Sequence, residues 1–378
     1  MNTLTFIHSS DLQLGMTRKF LDSDAQSRFD DSRLRAVERL GMLADERGAE
    51  FIVIAGDVFE HNSLDPRTIG RAVELLSRLP VPVYLLPGNH DPLIADSIFN
   101  RTRDIDNVTV IEESSVIEVR PGVELIGAPL IAKHASEDLV AVALRDLEPS
   151  DALRVLVGHG QVASFSSEPA PGLIDLDNIE SRIADGTIDY VALGDTHSTQ
   201  SLGTSGRVWF SGSPEVTDFH DFVPGSAGGE VDSGNALVVT LSGDDIDVEK
   251  VHTGQWRFEA LSWEVSDLDD VRALLADLDT YEDKARTVIK YSISGTLGLE
   301  ATRMLEAGIA KQEPVFGALY ERDRLWDLHL EPSDEEMANL PLQGFARSAM
   351  GELVTSASNN DPTARDAVNL LFRLSQEA

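Results

Sequence analysis

Cysteine is absent from this 378-residue chain. That excludes disulfides and thiolate metal sites together. Any bound metal must be held by nitrogen and oxygen, a donor set suited to Mn, Fe, Zn or Mg. Long apolar runs are missing too. No stretch reaches the roughly 18 apolar residues of a membrane span, so none is expected. The opening residues, Met1-Asn2-Thr3-Leu4-Thr5-Phe6-Ile7, lack a basic start and a long apolar core. They read as a first strand rather than a signal peptide, and a cytoplasmic protein is expected. Basic residues are scarce: 31 Lys and Arg stand against 65 Asp and Glu, a net charge of −34. A ready-made nucleic-acid clamp needs a basic stripe, so DNA would have to be met by a local basic patch or a basic partner. Net charge bears on solubility and association, not on fold or chemistry. Its bland reading is a solubility or salt-tolerance trait of the host.

What is present alternates strand with helix. Leu4–His8 is a short apolar strand, and Asp24–Arg47 carries Leu34, Val37, Leu40 and Leu43 at three-residue steps with Gly48 just beyond, a helix and its stop. The continuous run Phe51-Ile52-Val53-Ile54-Ala55 marks a strand covered on both faces. Asp65-Pro66 opens a further helix, with Asp as cap. Val81–Leu86, Leu153–Val157 and Tyr190–Leu193 are more buried strands, and Glu137–Leu147 is a helix. Val108–Val119 and Val123–Ile126 read as strands around the Pro121-Gly122 turn, and residues 201–212 and 236–249 as strands. Ser164–Gly172 reads as a surface loop, Ser213-Pro214-Glu215 as a turn and Pro224–Gly234 as a flexible excursion. Past His252 the order is Trp256–Val265, Leu268–Leu278, Ala285–Ser294, Leu299–Gln312, a small α+β domain, followed by helices over Ser333–Thr355 and Pro362–Gln376. The expected division is 1–252, 253–332 and 333–378. Repeated strand-helix-strand units argue for a layered α/β sandwich.

Five short motifs follow five of these strands: Ser10-Asp11-Leu12-Gln13, Gly56-Asp57-Val58-Phe59-Glu60-His61-Asn62, Gly88-Asn89-His90-Asp91, Gly158-His159-Gly160 and Gly194-Asp195-Thr196-His197. In an open α/β sheet the carboxyl ends of the strands are where ligands bind. Four of the five join a glycine, which lets backbone approach a ligand, to carboxylate, amide or imidazole donors that divalent first-row metals accept, and the first offers Asp11 and Gln13. One Gly-Asp after a strand is ordinarily a turn. Five in succession point to a metal site.

These motifs resemble the pattern of the calcineurin-like metallophosphoesterases, D-x-H, G-D-x-x, G-N-H-[DE], G-H and G-H-x-H. Phe6-Ile7-His8-Ser9-Ser10-Asp11-Leu12, Gly56-Asp57-Val58-Phe59 and Leu86-Pro87-Gly88-Asn89-His90-Asp91-Pro92 are similar to its SbcD-type nuclease branch. The resemblance covers residues 1–215; beyond 252 only domain order and size are similar. It implies a four-layer α-β-β-α metallophosphoesterase sandwich with a smaller C-terminal α+β capping domain. It also implies two divalent ions, Mn above Mg, Fe or Zn. Asp57 would bridge them, Asp11 and His197 would hold the first, Asn89 and His159 the second, and His90 would act on the scissile phosphate as acid or charge stabiliser. Two positions depart from the pattern: Gln13 stands where a histidine is usual, a neutral and weaker donor, and Asp195 replaces the first histidine of G-H-x-H. The second site becomes harder, which favours Mn²⁺ or Mg²⁺ over Zn²⁺, and the first ion should bind more weakly, or only when substrate is present. Where that branch often has a further histidine stands Glu60, with His61 beside it, and whether His61 substitutes is open. His8 either supports the ligands or packs in the core. Asp91 and His220 are further candidates to support or line the site, whereas His134, His252 and His329 read as surface or core residues.

The function expected on this resemblance is a Mn²⁺-dependent DNA exo/endonuclease. An SMC-like ATPase of the SbcC type is the expected partner, with a homodimer as a further assembly. The alternatives are a phosphodiesterase for a small molecule such as a cyclic nucleotide, suggested by the acidic surface, and a scaffold subunit with a decayed site, suggested by Gln13.

Overall fold

The computed structural model describes residues 3–163, 170–221, 230–325, 327–333, 336, 340, 342–359 and 361–377. Most of the expected loop Ser164–Gly172, part of the excursion Pro224–Gly234 and part of the start of the helix expected over Ser333–Thr355 lie outside the described residues. The chain divides into two compact units. The first is Met1–Lys19, Gln26–Asp218 and Glu230–Trp256; the second is Phe20–Ala25, Phe219–Gly229 and Arg257–Ala378.

The first unit holds two six-stranded sheets. One is built on β1 (Thr3–Ser9), β2 (Ile52–Ile54), β3 (Val83–Leu85) and β4 (Val108–Val110), all parallel, with α1 (Ser23–Arg47) and α2 (Pro66–Leu76) as crossovers. The other runs β5 (Val116–Arg120), β6 (Val123–Gly127), β7 (Leu153–His159), β8 (Tyr190–Gly194), β10 (Val208–Phe210), β9 (Gln200–Leu202), with α3 (Leu139–Leu144) and α4 (Leu176–Ala184) in its crossovers. The first sheet is completed by β12 (Asn235–Ser242), antiparallel to β1, and β13 (Asp245–His252).

Side-chain alternation explains the layers. In the run Phe51–Ala55, Phe51, Val53 and Ala55 pack with Val123, Leu125, Val155, Val157 and Ala192 of the other sheet. Ile52 and Ile54 point the opposite way, into the core with Val37, Leu40 and Leu43 of α1 and Leu76 of α2. On the far face of the second sheet, Leu156, Val191 and Leu193 pack with Val140 of α3 and Ile179 of α4. A strand with apolar residues at both parities can only be stable with both faces covered. The result is helix, sheet, sheet, helix, the four-layer sandwich expected. Asp65 caps α2 with its side chain accepting from Arg67 N and Thr68 N, as the Asp-Pro signal indicated.

Four details of the first unit differ from the sequence reading, and in the second a helix spans Phe345–Ala357 rather than the whole of Ser333–Thr355. Val108–Val119 is not one element: β4 joins the first sheet and β5 the second. Residues 236–249 are parts of two antiparallel strands that turn at Gly243, φ 60°. Residues 201–212 divide into β9 and β10. Helix α4, capped by Asp175, went unread.

The second unit carries β11 (His220–Asp221), β14 (Arg257–Val265), β15 (Thr287–Leu297), β16 (Ala318–Glu321) and β17 (Asp327–Leu330), and every described pairing among them is parallel. α5 (Leu268–Asp279) and α6 (Leu299–Gln312) contribute Val271, Leu274, Leu278, Ala301 and Leu305 to its core. α7 (Phe345–Ala357) and α8 (Pro362–Glu377) pack around Met350, Ala364 and Val368.

Candidate metal centre

Both sheets of the first unit deliver their motifs from the carboxyl ends of their strands. β1, β2 and β3 lead to Asp11, Asp57 and Asn89-His90, while β7 ends on His159 and β8 runs into Asp195. Gly158 and His159 lie within β7 rather than after it. The backbone is bent hard here. Among the described non-glycine residues, positive φ is confined to Asp11 (53°), Gln13 (41°), Asp57 (51°) and Asp195 (100°). Such conformations cost about 1–3 kcal/mol each and persist where surrounding bonds over-determine them. The bonds are visible: Asp11 N donates to Gly56 O (3.0 Å), Gln13 N to Asp57 O (2.9 Å) and Leu14 N to Val58 O (3.0 Å), locking the first loop to the second.

The candidate donors fall into two groups. His159 Nε2 lies 2.7 Å from Asn89 Oδ1, 3.4 Å from Asp57 Oδ2 and 3.8 Å from Asp195 Oδ1. His197 Nε2 lies 3.8 Å from Asp11 Oδ1 and 3.4 Å from the Gln13 amide nitrogen. Asp11, Asp57 and His159 each place a donor atom within 4.8 Å of the others', and all three are buried. Asn89, His90, Asp195 and His197 are half-buried.

Each imidazole is oriented from behind. His159 Nδ1 donates to Ala55 O (2.8 Å), which leaves Nε2 for the centre. Space for that ring depends on Gly56 at φ 93°: a Cβ there would lie 2.1 Å from His159 Nδ1. Gly88 is needed for close approach, since its Cβ would lie 2.1 Å from Asp57 Oδ1. His90 Nδ1 donates to Glu60 O (3.0 Å), and the His90 backbone N–H donates to Asp57 Oδ1 (2.9 Å).

Burial raises the Asp11 carboxyl, with Asp57 adding to the rise and His197 and His159 opposing it. Burial likewise raises Asp195. At Asp57 burial pushes upward, but the charge and hydrogen bond of His159 outweigh it and the carboxyl titrates below its ordinary value. Burial acts downward on both imidazoles, yet Asp57 holds His159 well above its ordinary range, and Glu230 and Asp11 raise His197 to about 9. Gln13 Oε1 is buried and has no hydrogen-bond partner. An orphaned oxygen beside converging carboxylates and imidazole lone pairs fits divalent cations bound through N and O.

The remaining candidates are placed differently. His8 is fully buried, with Nδ1 3.0 Å from Tyr190 Oη and Nε2 3.2 Å from Leu193 O; burial pushes it down to about 3, so it is a neutral core residue. Asp91 accepts from Phe59 N (2.9 Å) and Gly88 N (2.8 Å), tying the second motif to the third. Burial, with Asp57 nearby, raises it to about 7. Glu60 carries a buried Oε2 with no hydrogen-bond partner. His61 is exposed and accepts from Ser63 N. His220 belongs to β11 of the second unit.

Several residues at the site escaped the sequence reading. Ser10 Oγ donates to Asp11 Oδ2 (2.5 Å), and Ser213 Oγ to Asp11 O (2.8 Å). Arg33 of α1, 2% exposed, donates to Leu12 O through Nε (3.0 Å) and Nη2 (2.5 Å), to Asp11 O (3.4 Å) and to Val216 O (3.4 Å). Burial lowers it to about 10, so it remains charged at neutral pH. Replacing Arg33 with Met is expected to cost about 3 kcal/mol, because buried carbonyls lose charged donors. A urea-unfolding midpoint unchanged from wild type would contradict that. Glu230 and Thr217 flank His197. Glu230 lies in the segment expected to be a flexible excursion, yet it is buried against the site.

The chain matches the family model for the calcineurin-like phosphoesterases over residues 4–199, just over half its length. The DNA double-strand break repair protein Mre11 of Archaeoglobus fulgidus is 31% identical over 119 residues, 31% of this chain and 24% of that protein; the chain thus spans about a quarter of that relative's length. A dimetal phosphatase from Danio rerio aligns in structure with a TM-score of 0.40 at 9% identity, covering 66% of this chain and 99% of the other. No helix of the described residues is long and apolar enough to cross a membrane. With the family match spanning all five motifs, the chain belongs to the calcineurin-like phosphoesterases, metal-binding hydrolases.

Proposed function

We propose that this chain is a two-metal phosphodiesterase acting on DNA, most active with Mn²⁺. The observation that carries the metal reading is the sorting of donors into two groups that meet at Asp57. Asp57, Asn89, His159 and Asp195 would hold one ion. Asp11, Gln13, His197 and Asp57 would hold the other. The similarity to the Mre11 repair protein supports DNA as the substrate. A pair of divalent ions supplies an acidified water and a clamp on phosphate oxygens for in-line attack.

The chain's own residues do the rest. Asp57 presents one carboxylate to both donor groups while its Oδ1 is held by the His90 backbone N–H. His159 and His197 offer Nε2, because Nδ1 of each is engaged behind the ring. His90, fixed through Nδ1 by Glu60 O, would offer its other nitrogen, protonated, to the leaving oxygen, donating that proton or stabilising charge there. Asp195 and Asp11 add negative charge that favours hard cations.

Ligation also moves protons. Burial acts downward on both imidazoles, but Asp57 raises His159, and Glu230 and Asp11 raise His197 to about 9, so His197 carries a proton at neutral pH in the metal-free protein. A ligand imidazole must give up a proton, so binding releases protons, and affinity should rise with pH through the region near 9 where His197 loses its proton. Calorimetric Mn²⁺ titrations in buffers of different ionisation enthalpy measure this; zero release or proton uptake at pH 7 would contradict it.

The substrate is tested with purified protein and Mn²⁺ on single- and double-stranded DNA and on bis-p-nitrophenyl phosphate. Cleavage of DNA, alone or with an SMC-like ATPase, supports the proposal. Hydrolysis of the small ester with both DNAs left intact would replace it with a small-molecule phosphodiesterase, which the net charge of −34 would suit.

A further inference from the structure

We infer that Glu230, together with Thr217, is the positioning residue that makes His197 a strong donor for the first ion. The inference rests on the proposed role of His197 as a ligand. Both residues lie beyond the family match, which ends at residue 199.

The geometry leaves Nδ1 of His197 one protonation state. Glu230 Oε1 lies 3.0 Å from Nδ1. Thr217 Oγ1 lies 2.5 Å from Nδ1 and donates its own proton to Glu230 Oε1, so it faces the ring with a lone pair. Glu230 Oε2 accepts from Thr217 N (3.0 Å). A carboxylate only accepts. Every group facing Nδ1 is therefore an acceptor, Nδ1 carries hydrogen, and Nε2 is the atom turned to Asp11 and Gln13. The arrangement is built into the fold. Thr217 is fully buried and Glu230 is 6% exposed. The backbone beside Glu230 is anchored to the residues after His197, with Val231 N donating to Ser198 Oγ (3.1 Å) and Thr199 N to Asp232 O (2.8 Å).

The two ligand imidazoles are thus backed unequally. His159 leans on a neutral carbonyl, Ala55 O, and His197 on a carboxylate. A carboxylate behind an imidazole raises its basicity and fixes its ring, and losing such a partner typically costs about 10–100-fold in metal affinity. The charged partner sits in the donor group where Gln13 contributes only a neutral oxygen. Glu230 offsets the weakness of Gln13.

The test is Mn²⁺ titration of the full chain by calorimetry, comparing wild type with Glu230→Ala, Glu230→Gln and His197→Ala. Glu230→Ala is expected to weaken one ion about 10–100-fold and leave the other unchanged. Glu230→Gln, which keeps an acceptor and loses the charge, should fall between. A loss shared equally by both ions would indicate a merely structural role and overturn the inference, as would two unchanged affinities. If Glu230→Ala does not fold, Glu230→Gln decides on the same criteria. Ring ¹⁵N spectra of the metal-free protein add a second readout: the Nδ1–H signal of His197 should be present in wild type and shifted in both Glu230 variants, and no shift would count against the role. The control separates two failures. If His197→Ala still binds two ions with wild-type affinity, the ligand reading fails. If His197→Ala loses one ion and Glu230→Ala loses none, only the role of Glu230 fails.

Discussion

Replacing Asp57 with Ala is expected to remove metal-dependent hydrolysis, a fall of roughly 10³-fold or more, or about 4 kcal/mol of transition-state stabilisation. The size of the effect follows from its position. Asp57 Oδ2 is 3.4 Å from His159 Nε2, and its carboxylate reaches the same small volume as that of Asp11. No neighbour can substitute for a carboxylate shared by both donor groups. Thermal melts supply the independent check. A bound ion stabilises the folded chain in proportion to RT ln(1 + [L]/Kd), so Mn²⁺ should raise the melting temperature of wild type and leave that of Asp57→Ala nearly unchanged. An Asp57→Ala protein that keeps its Mn²⁺-induced shift and its turnover would remove Asp57 from the bridge.

His90→Ala is expected to lower turnover by about 10²–10⁴-fold, the usual contribution of a positioned acid or base, while Mn²⁺ affinity stays the same. The separation arises because His90 bonds Asp57 through its backbone N–H, which the substitution leaves in place. The loss should depend on the leaving group. Nitrophenolate departs without protonation, so hydrolysis of bis-p-nitrophenyl phosphate should suffer far less than cleavage of an alkyl phosphodiester in DNA. Equal losses on both substrates, or a parallel loss of bound metal, would argue against a role at the leaving oxygen.

Much of this site could be read from sequence because its donors follow strands whose apolar runs are unmistakable. Phe51–Ala55 has large apolar residues at both parities, and only a doubly covered strand tolerates that. Once the strands are set, the motifs fall on one edge of each sheet by topology. The positive φ of Asp11, Gln13, Asp57 and Asp195 was not legible, since that conformation ordinarily favours glycine and only the interlocked loops impose it here. Helix α4 was missed because its nine residues follow a Ser-, Pro- and Gly-rich stretch, although the Asp175 cap and the spacing of Leu176, Ile179 and Ile183 were there to be seen. The hairpin of β12 and β13 was merged into one strand despite its Gly243-Asp244 turn signal. Glu230, Thr217 and Arg33 carry no local signal at all. Their meaning is tertiary: each serves a residue between 13 and 183 positions away in the chain, through bonds that exist only when the sandwich is closed.

The two donor groups are chemically unequal. One gathers Asp57, Asn89, His159 and Asp195. The other depends on Asp11, His197 and a neutral Gln13 oxygen that is buried without a partner. The most direct test is anomalous diffraction from crystals of the full chain soaked in Mn²⁺. Two peaks about 3.5–4 Å apart are expected on either side of the Asp57 carboxylate, with the weaker one beside Gln13. Fully soaked crystals with no peak at Asp57, or with a single ion that Asp57 does not touch, would contradict a dinuclear centre bridged by this residue.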